Sequence, residues 1–156
     1  MSQTDSIKVT MRVEVDPETA FEVFTREIDA WWRRGPRFRF GESGDGHLRF
    51  EPGVGGRLLE EQEDGQLYEI GRVRVWEPGE RLVFSFRARA FTDGEETEVE
   101  VVFEAEDAAT RVTLVHRGWD SLPKDHPARH GLEGPAFTSM IGLWWADLLR
   151  SLRAKA

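Results

Sequence analysis

The chain has 156 residues, enough for one domain that buries roughly 70% of the surface its unfolded form exposes. Acidic residues outnumber basic ones by 29 to 21, for a formal charge of -8, so the attraction to phosphate that nucleic acid and anionic membranes require is missing. Cysteine is absent, which excludes disulfides, thiolate metal sites and cysteine nucleophiles.

From Ile7 to Val15 apolar and polar residues alternate, with Ile7, Val9, Met11, Val13 and Val15 on one face, and this predicts a half-buried strand. Asp16-Pro17-Glu18 then supplies a helix N-cap, a preset φ at the first helical position and a carboxylate at the positive end of the dipole. The stripe Ala20, Phe21, Phe24, Ile28, Trp31 and Trp32 has helical spacing up to Gly35-Pro36 and fits either one helix or two short ones. A glycine-rich loop carrying Arg37-Phe38-Arg39-Phe40 follows.

Six strands are expected next: His47 to Glu51, Gly56 to Gln62, Gln66 to Trp76, Arg81 to Phe91, Thr97 to Glu106 and Arg111 to Arg117. Turn residues separate them at Pro52-Gly53, Asp64-Gly65, Pro78-Gly79-Glu80, Asp93-Gly94 and Asp107-Ala108-Ala109. Connections this short predict a continuous antiparallel meander, because parallel pairing needs a long crossover. Beyond a loop rich in Pro and His, a long helix is predicted from near Pro135, with Phe137, Met140, Ile141, Trp144, Trp145, Leu148, Leu149 and Leu152 on its apolar side. Arg150, Arg153 and Lys155 suit the negative end of its dipole. With no linker and no internal repeat, residues 1–156 read as one α+β domain.

The order strand, helical segment, six strands, long helix resembles the START-like superfamily, also called Bet v 1-like or SRPBCC, and within it the Hsp90 ATPase activator homologue branch. The resemblance is carried by Asp16 to Thr25, Trp31-Trp32, Glu51-Pro52-Gly53-Val54-Gly55-Gly56-Arg57, Trp76 to Phe84 and Thr110 to Trp119. It implies a helix-grip fold in which a curved seven-stranded sheet wraps a long C-terminal helix and leaves a cavity between them. Relatives of this kind include ligand carriers, cyclases and a co-chaperone domain.

On that topology the inner face should be formed by Trp31, Trp32, Phe84, Phe86, Val99, Val101, Phe103, Leu114, His116, Phe137, Ile141 and Trp144, the candidate ligand-binding residues. Phe137, Ile141, Trp144 and Leu148 form the helical stripe that opposes the strands. His116 shares strand parity with Val112 and Leu114, so its imidazole either faces a ligand or sits bonded at the strand end. Asp125-His126, His130 and Glu133 are read as a solvated loop because Pro127 interrupts the i, i+4 interval. Gly53-Val54-Gly55-Gly56 fits no phosphate-loop pattern and is read as a turn feeding a bent strand. Arg72, Arg74, Arg87 and Arg89 are read as an outer face balanced by Glu98, Glu100 and Glu104.

The function expected from these residues is binding of a hydrophobic or aromatic small molecule, with no catalytic residue, metal or cofactor assigned. The alternatives are a cyclase- or hydratase-like enzyme on a polyketide-type substrate, which requires a polar constellation around His116, and a chaperone-interaction module. A homodimer is compatible with either. No apolar run reaches the roughly 18 residues of a spanning helix, and Met1-Ser2-Gln3-Thr4-Asp5-Ser6 lacks the regions of a secretory leader, so a cytoplasmic location is expected.

Overall fold

The computed structural model describes residues 6–35, 37–39, 46–87, 91–92, 94–122, 125–129, 131–132 and 134–156. The chain order is β1 (Ile7–Val13), α1 (Pro17–Thr25), α2 (Ile28–Trp31), β2 (His47–Phe50), β3 (Arg57–Glu61), β4 (Leu67–Glu77), β5 (Arg81–Phe86), β6 (Thr97–Glu106), β7 (Ala109–Arg117) and α3 (Gly134–Lys155). Among the described residues the strands form one antiparallel sheet in the order β1-β7-β6-β5-β4-β3-β2. The meander is as expected, and the N-terminal strand closes it by pairing with β7, from Ile7 opposite His116 to Val13 opposite Thr110.

Asp16 caps α1 as the sequence predicts: its carboxylate accepts the Thr19 N–H at 3.3 Å and the Thr19 hydroxyl at 2.5 Å. The helical stripe breaks into two helices at residues 26–27, and a side chain satisfies the break. The Trp31 indole N–H donates to the carbonyls of Val23 and Phe24, two of the acceptors that the end of α1 leaves without intrahelical partners. The helix stops at Trp31, short of Gly35, because Trp32 turns to extended backbone and buries its own ring. The predicted strand Arg81 to Phe91 is confirmed only as far as Phe86, and residues 88–90 and 93 lie outside the described residues.

The loop after α2 is tied down by a buried arginine. The Arg39 side chain donates to the Asp29 carboxylate at 2.5 Å, to the Gly46 carbonyl at 2.6 Å and to the Trp32 carbonyl. Asp29 also accepts the Leu48 N–H at 2.9 Å, so one carboxylate fastens the loop and the start of β2 to α2. Burial opposes ionisation of Asp29, but the Leu48, Arg39 and His47 hydrogen bonds outweigh it and hold the carboxyl at about 2. Among the described residues two arginines are buried, Arg39 and Arg129, and both stand outside the strands, where no parity signals burial.

The convex face carries ion pairs across neighbouring strands. Arg74 reaches Glu96 at 2.6 Å and Glu98 at 2.8 Å, Arg81 reaches Glu100 at 2.6 Å, and Arg117 bridges Glu98 and Glu100. Glu98 and Glu100 thus balance this face as expected. Glu104 faces Arg111 in the β6–β7 register, though the Arg111 guanidinium pairs with Glu106 at 2.5 Å. Arg72 pairs with Glu69 at 3.0 Å, Arg87 donates to the Thr92 carbonyl at 3.3 Å, and Arg89 lies outside the described residues. Gly53 and Gly55 both take φ of 87°, and the turn they form is laced to β4 by Gly55 N–H to Val73 O at 2.9 Å, as a turn feeding a strand requires.

The register of β4 on β5 shifts between Val73 and Val75, and Gly71 lies beside this irregularity. A Cβ at Gly71 would stand 1.6 Å from the Ser85 carbonyl oxygen, so only glycine admits so close an approach of two strands. A Gly71→Ala variant is expected to lose about 1–3 kcal/mol by overpacking against backbone. Urea denaturation followed by tryptophan emission measures this, and an unchanged midpoint would show that the strands separate without cost.

Candidate functional site

Strand alternation brings the predicted inner face together row by row. Phe84 pairs with Val99, Val99 with His116, and His116 with Ile7, so these four residues form one row across β5, β6, β7 and β1. The next row joins Leu82, Val101, Leu114 and Val9, and Phe103 pairs with Val112 beyond it. Phe84, Phe86, Val99, Val101, Phe103 and Leu114 are all buried in the main core.

The helix that faces these rows is rotated from the expected stripe. The buried residues of α3 are Phe137, Trp145, Leu148, Leu149 and Leu152, while Ile141 and Trp144 are half-buried. With 100° between successive helical residues, the observed stripe is turned by about 50° toward Trp145 and Leu149. The apolar face is so wide that hydrophobicity alone admits either centre. Trp145, absent from the expected ligand-binding set, is the ring at the middle of the interior.

Around Trp145 the aromatic rings touch one another. Trp32 lies 5.6 Å from it, Trp144 5.0 Å and Phe86 6.1 Å, all between ring centroids. These separations are direct ring contacts, mostly edge to face. Phe38 stacks on the outer side of Trp144 at 5.7 Å, and the guanidinium groups of Arg33 and Arg37 lie 5.2 and 5.0 Å from the Phe38 ring. The Trp144 indole N–H donates to the Arg37 carbonyl and that of Trp32 to the Phe38 carbonyl, each at 2.9 Å.

The remaining predicted residues belong to other neighbourhoods. Trp31 and Phe103 pack on Phe24 beneath α1, at 5.0 and 6.0 Å. Phe84 meets Phe50 at 5.4 Å. Phe137 falls in a second core cluster with Ile7, Phe91, Trp119 and Leu122. The expected set therefore divides between one main core, which runs from the rings at Trp145 through Trp32 and Trp31 to those beneath α1, and a second cluster under the first turns of α3.

His116 is buried at 1% exposure and bonded on both ring nitrogens. The Trp145 indole N–H donates to Nδ1 at 2.9 Å, and an indole nitrogen can only donate, so Nδ1 is an acceptor. Nε2 must then carry the proton and donates to the Thr97 hydroxyl at 2.7 Å, which donates in turn to the Phe86 carbonyl at 3.0 Å. Burial, helped by the charge of Arg117, lowers the imidazole from 6.5 to about 3, so the ring is neutral and its donors and acceptors are spent within the fold. Thr97 was not among the expected site residues, although its parity with Val99 and Val101 points it the same way.

The loop after β7 corrects another expectation. His126 is buried at 6% exposure, not solvated. Its Nε2 lies 2.8 Å from Glu95, and its Nδ1 accepts the Ala128 N–H at 3.0 Å. His130 and Glu133 lie outside the described residues. Among the described residues no group of three or more His, Asp or Glu side chains is arranged to hold a metal, and no helix is long and apolar enough to cross a membrane.

A curled antiparallel sheet gripping a long C-terminal helix defines the helix-grip class of α+β proteins. Within that class the chain belongs to the family described as activator of Hsp90 ATPase homolog 1-like protein, whose pattern matches residues 14–135. Solved structures show the same fold. The protein MLL2253 from Mesorhizobium loti aligns with a TM-score of 0.66 at 16% identity, covering 96% of this chain and 94% of that one. The Aha1 dimer from Colwellia psychrerythraea gives 0.61 at 17% identity, over 95% and 92%. PFC0360w, an Hsp90 activator from Plasmodium falciparum, gives 0.62 at 20% identity, over 96% and 94%. Comparison with curated protein sequences returns no match.

Two measurements follow from this geometry. Trp145→Ala is expected to cost roughly 3–5 kcal/mol, as the loss of a fully buried large ring does, while Trp144→Ala costs about 1–2 kcal/mol because that ring is half-buried. Equal losses in chemical denaturation would return Trp144 to the centre of the interior. The second concerns pH. The unfolded state takes a proton on His116 below about 6.5 and the folded state only near 3, so the unfolded form binds more protons in between and stability falls as pH is lowered through that window. The expected slope is on the order of 1 kcal/mol per pH unit, and denaturation series at several pH values should show a His116→Asn variant without that share of it.

Proposed function

We propose that the chain binds an apolar, ring-bearing small molecule between the concave face of the sheet and α3. The observation that carries this reading is the interior itself: four tryptophan and phenylalanine rings, Trp32, Phe86, Trp144 and Trp145, from three separate elements, meet one another, and two of them, Phe86 and Trp145, rest on the neutral His116. Large flat rings supply apolar contact at low cost in conformational freedom and suit an aromatic guest. Phe38 and Trp144 form the part of this set that reaches solvent, and they are the rings that a guest displaces to enter.

Binding is favoured over catalysis because His116, the residue a cyclase- or hydratase-like mechanism needs as a base, has both nitrogens engaged and stays neutral. General acid or base work requires a group that can exchange a proton with substrate. A second reading, contact with a chaperone, is favoured by membership of a family named for Hsp90 activation and by the fold shared with the Plasmodium activator. Fold likeness alone does not carry the partner across.

Titration of the folded protein with a panel of naphthalene- and anthracene-type compounds tests the first reading. Binding with micromolar dissociation constants and a change in tryptophan emission is the expected result, and native mass spectrometry of freshly purified protein should retain a ligand and give the subunit number. Failure of every compound to bind above millimolar affinity would sink it and move the chaperone reading to first place.

A further inference from the structure

Four of the six tryptophans donate their indole N–H to an acceptor within the fold. Trp31 donates to Val23 O at 3.0 Å, Trp32 to Phe38 O at 2.9 Å, Trp144 to Arg37 O at 2.9 Å and Trp145 to His116 Nδ1 at 2.9 Å. Trp119 is only 2% exposed, yet its Nε1 has no acceptor among the described residues. A buried donor without a partner is a standing cost to a fold, and folds that keep one commonly use it.

The surroundings of Trp119 are apolar and rich in rings. Its ring lies 4.7 Å from His116, 5.1 Å from Phe137 and 6.0 Å from Phe91. Ile7, Leu122 and Phe137 complete the apolar wall of this second cluster. Other polar groups beside it are engaged: His116 by Trp145 and Thr97, His126 by Glu95 and Ala128, and the Trp119 carbonyl by the Arg129 guanidinium at 2.6 Å. The Arg129 guanidinium lies 4.9 Å from the Phe137 ring centroid, so the local field favours an atom with partial negative charge.

Apolar walls around a buried indole donor suit a guest that brings an acceptor of its own. We propose that the Trp119 indole N–H is the polar anchor of the site and that it takes the carbonyl oxygen of an otherwise apolar ligand, a ketone, quinone or ester. The inference rests on the ligand-binding reading and adds the class of ligand and the atom that orients it. It also places the polar end of that ligand at the β7 end of the interior, next to the row of His116, Val99 and Phe84.

The test compares 2-acetylnaphthalene with 2-ethylnaphthalene, which share shape and differ in the carbonyl, on wild type and on Trp119→Phe. The ratio of affinities, ketone to hydrocarbon, is expected to be roughly 3–10-fold higher in wild type than in the variant, the worth of one neutral hydrogen bond. In protein carrying nitrogen-15 tryptophan, the Trp119 indole proton should move on addition of the ketone and stay in place with the hydrocarbon. Equal ratios and an unmoved Trp119 proton, the pattern of an indole already bonded to water, overturn the anchor while leaving ligand binding intact. Binding of neither probe overturns both. If the variant does not fold, the wild-type indole proton decides alone.

Discussion

The hydrogen bond from the Trp145 indole to His116 Nδ1 is the interaction on which the rest of the interior depends. It ties α3 to β7 at a point where both partners are fully buried and neither can turn to water. Because the indole can only donate, the bond also selects the histidine tautomer, and the Nε2 proton then needs the Thr97 hydroxyl. Three elements are thereby held in one orientation by polar groups inside an otherwise apolar space. Apolar packing tolerates rotation of a helix with a wide hydrophobic face; a pair of directional bonds does not.

A second constraint acts from outside. The loop after α2 is held by Arg39 and Asp29, and its carbonyls at Arg37 and Phe38 accept the indole protons of Trp144 and Trp32. The loop thus serves as backbone acceptor for both rings, and without it the buried Trp32 would lose the partner of its N–H. Phe38, carried on the same loop, covers Trp144. Sheet, helix and loop each contribute rings to the interior, and each is fixed by a polar contact that the rings themselves cannot provide.

Membership of the Hsp90 activator homologue family follows from the match over residues 14–135, and the solved relatives show the helix-grip fold at 16 to 20% identity. At that distance the likeness shows the fold alone. The functional reading therefore stands on this chain's own interior, on its tryptophans above all.

Most of the architecture was legible in the sequence. Period-two alternation marked β1, β6 and β7, turn residues marked the meander, and Asp16-Pro17 marked the start of α1, because each of these is decided by contacts within a few residues of chain. The inner-face assignments of Val99, Val101, Phe103, Leu114 and His116 followed from strand parity, which a sheet cannot violate without a register slip. What the sequence could not decide were pairings across long separations: Trp145 with His116, Arg39 with Asp29, Trp144 with the Arg37 carbonyl, and the division of the aromatics into separate clusters. A helix whose apolar face is more than half its circumference carries no internal preference for Trp144 over Trp145, and a loop arginine shows no period that would reveal its burial. Only the closing of the sheet on α3 brought a directional donor to a directional acceptor, and that geometry chose the rotation of the helix.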